Sequence, residues 1–230
     1  MRSIDALSVL QTLGFRGINV TLPHKAAVFA LADETTERAR LAGAANTLTF
    51  DGDRILADNT DGYGFVASLV QAAGPDVLSY PTVILGAGGA ARGIVGSLLE
   101  AGIPDVVLAN RTDVRAVDLA STFDDRVSVG PWTNPFGGRS EPVLLVNTTS
   151  LGMVGQPPLD LALDDLPDGS VVADIVYTPL ETSLLASARR RGLVGVDGLG
   201  MLLHQAAPGF ERWFGVRPEV DSDLRRAVLA

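Results

Sequence analysis

Pro81-Thr82-Val83-Ile84-Leu85-Gly86-Ala87-Gly88-Gly89-Ala90-Ala91-Arg92 changes character in its middle. An apolar, β-branched run breaks into glycines, and apolar residues then return at helical spacing through Ile94, Val95, Leu98 and Leu99 until Gly102. The reading is strand, tight turn, helix. Gly86, Gly88 and Ala91 fit the pattern G-x-G-x-x-G/A, in which small residues let the backbone turn sharply, approach a pyrophosphate and pack helix on strand. The unpaired N–H groups and positive dipole end of that helix would face a diphosphate. Strand-to-helix turns of this kind also occur where nothing binds, so the neighbouring segments have to decide.

Asp105-Val106-Val107-Leu108-Ala109-Asn110 reads as the next parallel strand. It ends about 20 residues after the glycines, where an acid normally holds the ribose 2′-hydroxyl of NAD. Here the chain continues Asn110-Arg111-Thr112-Asp113-Val114-Arg115, so two arginines flank a hydroxyl and no acid closes the strand. Guanidinium groups match phosphate geometry, which favours a 2′-phosphate and hence NADP. Thr112 also fits as the N-cap of a helix beginning at Asp113, and Asp113 leaves room for NAD.

Strands and helices alternate from there: strands near Val127, at Val143–Val146, Val171–Val176 and Leu193–Val196, and a helix over Leu180–Arg191. This is the pattern of an α/β, doubly wound parallel sheet. Upstream, helical spacing over Ser3–Leu13 is followed by a short strand at Gly17–Thr21, a helix from about His24, and a hairpin of Thr47–Phe50 with Arg54–Ala57 about Asp51-Gly52-Asp53. A longer helix from Gly62 leads to a linker at Gly74-Pro75. The expected organisation is a small α/β substrate domain over 1–75, a Rossmann-type domain over 76–200, and helices over 201–230 that return to the first domain.

A hydrophobic content of 47% with 20% charged residues is that of a globular chain, and no run is apolar enough to span a bilayer. The net charge of −9 opposes non-specific binding to nucleic acid or to anionic membrane. There is no cysteine, hence no thiolate chemistry, and only His24 and His204 could offer imidazole, so no metal site is expected. The start of the chain lacks an apolar signal core, and a cytoplasmic enzyme is the expectation.

Three clusters before the glycine turn put short polar side chains at element ends: Asn19-Val20-Thr21-Leu22-Pro23-His24-Lys25, Gly43-Ala44-Ala45-Asn46-Thr47, and Asp58-Asn59-Thr60-Asp61-Gly62. Hydride exchange between a nicotinamide and an alcohol or ketone needs a group that moves a proton on and off the substrate oxygen. With so few alternatives, a lysine beside a carboxylate is the most available device, and Lys25 with Asp61 are the candidates. Singly, Lys25 also reads as a solvated first-turn lysine and Asp61 as a helix N-cap.

These clusters, with Gly86-Ala87-Gly88-Gly89-Ala90, Asn110-Arg111-Thr112, Asn147-Thr148-Thr149-Ser150-Leu151-Gly152-Met153 and Gly200-Met201-Leu202-Leu203-His204-Gln205-Ala206-Ala207, resemble the successive signatures of the shikimate/quinate dehydrogenase family, in the family's order and across nearly the whole chain. The resemblance implies reduction of 3-dehydroshikimate to shikimate with NADPH in aromatic amino-acid (chorismate) biosynthesis. It implies Lys25 as acid/base and Asp61 as its partner, and Thr21, Asn46, Asp61 and Gln205, with Tyr177, as substrate-binding. It implies Gly86, Ala87, Gly88, Gly89 and Ala90 at the pyrophosphate, Asn110, Arg111, Thr112 and Arg115 at the adenosine phosphate, and Thr149, Val176, Gly198 and Met201 near the nicotinamide. Nothing before Ile18 matches the family's Ser-x-Ser segment that holds the substrate carboxylate, so an N-terminal portion is expected to be absent. Its loss would leave an exposed sheet edge that favours a homodimer. An NAD-dependent quinate/shikimate dehydrogenase and a catalytically silent NADP-binding form stand as the alternatives.

Overall fold

The computed structural model describes residues 3–230, with side chains from residue 6 onward. Two sheets organise it. The first contains β1 (Gly17–Asn19), β2 (Glu34–Thr35), β3 (Thr47–Asp51) and β4 (Arg54–Asp58) in the order β1-β3-β4-β2. β3 and β4 form the hairpin that Asp51-Gly52-Asp53 announces, in antiparallel register with Thr47 opposite Asp58. Gly52 takes φ +57°, which a side chain would resist. α1 (Ser3–Thr12) and α2 (Lys25–Leu31) cover this sheet, with Leu7, Val28, Leu48 and Ala57 in its core.

The second sheet contains β5 (Thr82–Leu85), β6 (Val106–Ala109), β7 (Val127–Gly130), β8 (Leu144–Asn147), β9 (Val171–Asp174) and β10 (Val194–Val196), all parallel, in the order β10-β9-β8-β5-β6-β7. Counted from β5, this is the 3-2-1-4-5-6 order of a dinucleotide-binding fold, whose direction reverses between β5 and β8. β5, β8 and β9 are buried along their length, as near-continuous apolar runs covered on both faces should be. α4 (Asp61–Ala73) and α5 (Gly89–Glu100) cover one face, with Phe65, Leu69, Ile94 and Leu98 in its core. α7 (Ser183–Arg190) supplies Leu184, Leu185 and Ala188 to the other, while α6 (Asp113–Ala120) follows β6.

α8 (Gly198–Phe214) ties the two sheets together. It packs on α4 and on β1 and β3, where the Trp213 indole N–H donates to the Leu48 carbonyl at 3.1 Å. α9 (Ser222–Leu229) packs on α8, and its Arg225 pairs with Asp197 at 2.6 Å.

Several boundaries differ from the sequence reading, each because a side chain takes the cap. α8 begins at Gly198, three residues before Met201, since Asp197 accepts from Leu199 N–H at 3.0 Å. α7 begins at Ser183 rather than Leu180, since the Thr182 hydroxyl accepts from Leu185 N–H. β9 stops at Asp174, two residues before Val176, because the Asp174 carboxylate folds back onto Val176 N–H at 3.0 Å. One α-helix escaped the sequence reading altogether. α3 (Glu37–Ala42) is six residues long, capped by Thr36 and closed by Gly43 at φ +61°. It packs on α5 and is too short to display a helical period.

Gly198 is the tightest point where α8 leaves the sheet. A Cβ there would overlap the backbone carbonyl of Ile175, which cannot swing aside as a side chain could. Gly198→Ala is therefore expected to cost about 1–3 kcal/mol, read as a Tm lowered by roughly 2–4 °C per kcal/mol for a chain of this size. An unchanged Tm would show that the turn yields freely.

Candidate active site

The β3–β4 hairpin, α2 and α4 bring together residues far apart in the chain. Lys25 opens α2 and Asp61 opens α4, and the Lys25 ammonium donates to Asp61 Oδ2 at 2.7 Å, the two side chains being 22% and 18% exposed. Asp61 is not the cap of its helix: Thr60 holds that position without a side-chain cap bond, and Asp61 lies in the first turn, where the helix dipole favours a carboxylate. Lys25 is correspondingly not a free surface lysine.

Asn46 locks the aspartate from behind. Its amide donates to Asp61 Oδ1 and to Gln205 Oε1, each at 2.9 Å. Its carbonyl accepts from Thr60 N–H at 2.8 Å and from the hydroxyls of Thr60 and Thr47. At 2% exposed, Asn46 has spent both amide hydrogens on the protein. Gln205 is held on its other side by donation to Leu202 O at 3.0 Å. Through these bonds Asn46 and Gln205 join the Lys25–Asp61 pair in one polar network.

The cleft lies between the two sheets and has a volume of about 430 Å³. Thr21, Lys25 and Asp61 line one side, and Ala90, Thr149, Val176, Tyr177, Gly198 and Met201 line the other. Tyr177 is half exposed, at the rim. Sequence reasoning gave no role to Leu22, Ser150, Met153, Ile175, Thr178 and Leu202, which line the cleft too. Only their adjacency to assigned residues signalled them.

From Ala90 the site runs on to the glycine turn. Gly86 is buried at φ +108°, and a Cβ on it would lie 2.7 Å from the Thr148 hydroxyl. Gly88 and Gly89 are exposed, with open space where their Cβ atoms would project, and Gly88 caps α5 with no side chain over it. The first N–H groups of α5 thus face a bare surface, the arrangement that takes a diphosphate. Further out, Asn110 donates to Thr112 O at 2.8 Å and shapes the turn. Thr112 does not cap α6 through its side chain, contrary to the simplest sequence reading, so its hydroxyl is left to the surface between exposed Arg111 and Arg115. Neither arginine makes an ion pair with a described acid.

The β5–α5 turn, the end of β6 and the ends of β8 and β9 lie side by side at one edge of the parallel sheet, the edge at which folds of this strand order take a dinucleotide, and Lys25 lines the same cleft as the residues that follow β8 and β9. An NADP-sized group fits these residues. Among the described residues no group of three or more His, Cys, Asp or Glu is placed to hold a metal, and no helix is long and apolar enough to cross a membrane. Burial, with the Arg217 charge in second place, holds the His204 imidazole below its ordinary pKa, and its Nε2 lies 3.0 Å from Gln71 Oε1.

Fold and site define a nicotinamide-nucleotide-dependent oxidoreductase, with a lysine–aspartate ion pair in the wall of its cleft. Family models match over three stretches: "Shikimate dehydrogenase substrate binding domain" over 3–48, "Shikimate / quinate 5-dehydrogenase" over 68–134, and "Shikimate 5'-dehydrogenase C-terminal domain" over 198–227. The chain belongs to the shikimate dehydrogenase family. The NADP(+)-dependent shikimate dehydrogenase of Roseobacter denitrificans is 56% identical over 234 residues, a match covering 100% of this chain and 84% of that protein. Among solved structures, quinate dehydrogenase from Corynebacterium glutamicum in complex with NAD superposes with a TM-score of 0.89 at 30% identity, covering 100% of this chain and 83% of that one. Shikimate 5-dehydrogenase from Thermus thermophilus, in complex with NADP(H) and shikimate, superposes with a TM-score of 0.81 at 35% identity, covering 95% and 81%.

Proposed function

We propose that this chain interconverts 3-dehydroshikimate and shikimate with NADP in the cleft between its two sheets. The observation that carries this reading is the Lys25–Asp61 pair at 2.7 Å, in the wall of a cleft that continues to the bare glycine turn. When bound, the nicotinamide supplies the hydride in reduction and receives it in oxidation. Lys25 gives its proton to the ketone oxygen in reduction and takes the hydroxyl proton in oxidation. Asp61 keeps the ammonium aimed into the cleft, and Asn46 fixes Asp61 in turn. Thr21 and Tyr177 reach substrate hydroxyls directly. Asn46 and Gln205 complete the polar wall, in which any group left unpaired costs about 1–3 kcal/mol.

On this reading residues 1–75 carry the substrate, 76–200 the nucleotide, and 201–230 pack back on the first part. Gly86, Ala87, Gly88, Gly89 and Ala90 take the diphosphate, and Asn110, Arg111, Thr112 and Arg115 the adenosine end. Thr149, Val176, Gly198 and Met201 take the nicotinamide. The protein works in the cytoplasm, and β1, an edge strand of the first sheet among the described residues, suits pairing with a second copy.

The test is a set of steady-state rates with shikimate or quinate and NADP⁺ or NAD⁺. Shikimate with NADP⁺ is expected to be the fastest pair. A preference for quinate with NAD⁺ would favour the second reading, supported by the likeness to the Corynebacterium glutamicum enzyme. Nucleotide binding without turnover of either substrate would refute the catalytic role.

A further inference from the structure

Beside the cleft, the second sheet ends on a carboxylate for which the reaction has no use. Asp174 closes β9, is 2% exposed, and pairs with no described cation. Its Oδ1 accepts from the Asn147 amide at 2.9 Å and from Val176 N–H at 3.0 Å, and its Oδ2 accepts from the Thr182 hydroxyl at 2.8 Å. Burial raises its carboxyl pKa above the ordinary value in spite of those donors. A buried acid without a cation is costly, so the interest lies in what its bonds hold.

The two donors on Oδ1 both lead to the cleft. Val176 lines it directly. Asn147 stands opposite Asp174 in the β8–β9 register and passes the constraint to Thr149, another lining residue. Asn147 Oδ1 accepts from Thr149 N–H at 3.0 Å and from the Thr149 hydroxyl at 2.7 Å, and that hydroxyl accepts from Leu151 N–H at 3.1 Å. One carboxylate oxygen thereby sets two walls at one end of the site. The other oxygen serves a separate purpose, holding Thr182 as the cap of α7.

We propose that Asp174 is a positioning residue for the nicotinamide end of the site, holding Val176 and, through Asn147, Thr149 against the reacting ring opposite Lys25. The proposal rests on the nucleotide-dependent reading above and assigns to that ring the ends of β8 and β9. Asp174→Asn can keep the acceptor facing Asn147 and Val176 by turning its amide toward the Thr182 hydroxyl, which also accepts. Asp174→Ala removes both functions.

The measurement is the affinity of the wild type and both variants for NADP⁺ and for 2′-phospho-ADP-ribose, the same molecule without its nicotinamide. A melting curve accompanies each. Asp174→Ala is expected to weaken NADP⁺ about tenfold or more, the scale of one lost buried hydrogen-bond arrangement, while the fragment binds within about twofold of wild type and KM for NADP⁺ rises more than KM for shikimate. Asp174→Asn is expected to restore most of the NADP⁺ affinity. If Asp174→Ala does not fold, Asn147→Ser, which leaves the carboxylate its Val176 and Thr182 donors, carries the same selective loss. A proportional loss of both ligands, or a loss of neither, would overturn the proposal. Wild-type turnover with shikimate tests the functional reading separately, because the selectivity of the binding loss does not depend on it.

Discussion

Lys25→Ala is expected to lower kcat on the order of 10²–10⁴-fold, the usual contribution of a positioned general acid–base group, with NADP⁺ affinity unchanged. The separation follows from the geometry. Lys25 stands on α2 against Asp61, across the cleft from the glycine turn, and no bond joins its side chain to the nucleotide-side wall. Removing the ammonium leaves Asp61 its bond from Asn46, so the carboxylate keeps its place but has no proton to pass on. The effect should appear equally in kcat and kcat/KM, the signature of an interaction made in the transition state. A variant that kept its turnover would rule out the proton-transfer role of Lys25, whatever it did to KM.

Replacing Arg111 and Arg115 together by alanine is expected to shift the NADP⁺/NAD⁺ preference toward NAD⁺ by about 10²–10⁴-fold, taking ~1.5–3 kcal/mol for each hydrogen bond to a charged group. Both guanidinium groups are exposed and without an acidic partner among the described residues, so little folding energy depends on them. The Thr112 hydroxyl between them is uncommitted to α6, which makes three donors available at one end of β6. The loss should lie in KM for NADP⁺, with kcat for shikimate oxidation close to wild type, and should shrink as salt is added because exposed charges are screened. An unchanged preference in the double variant would place the selection on other residues.

Much of the second sheet was legible because its signals are local. The contrast between the apolar run Thr82–Leu85 and the helical spacing after Gly89 needs no tertiary information, and neither does the repetition of strand and helix after it. The hairpin about Gly52 was legible for the same reason. β2 and α3 were not: at two and six residues they carry no period, and what holds them is the β2–β4 pairing and the contact of α3 with α5. Asp174 was equally silent, since a single acid closing an apolar strand has the same local pattern whether it faces solvent or three buried donors.

By itself the sequence determined the class of fold, the place of the diphosphate turn, and the residue types available for proton transfer, because these depend on periodicity, on glycine conformation and on which titratable side chains exist at all. Only the tertiary structure decided that Lys25 meets Asp61 across 36 positions, that the Asn46 amide donates to that carboxylate, and that Gln205 meets Asn46 from 159 positions away. The direction of a polar side chain is set by whichever donors and acceptors packing brings within about 3 Å of it, and in this chain those partners come from both ends of the sequence.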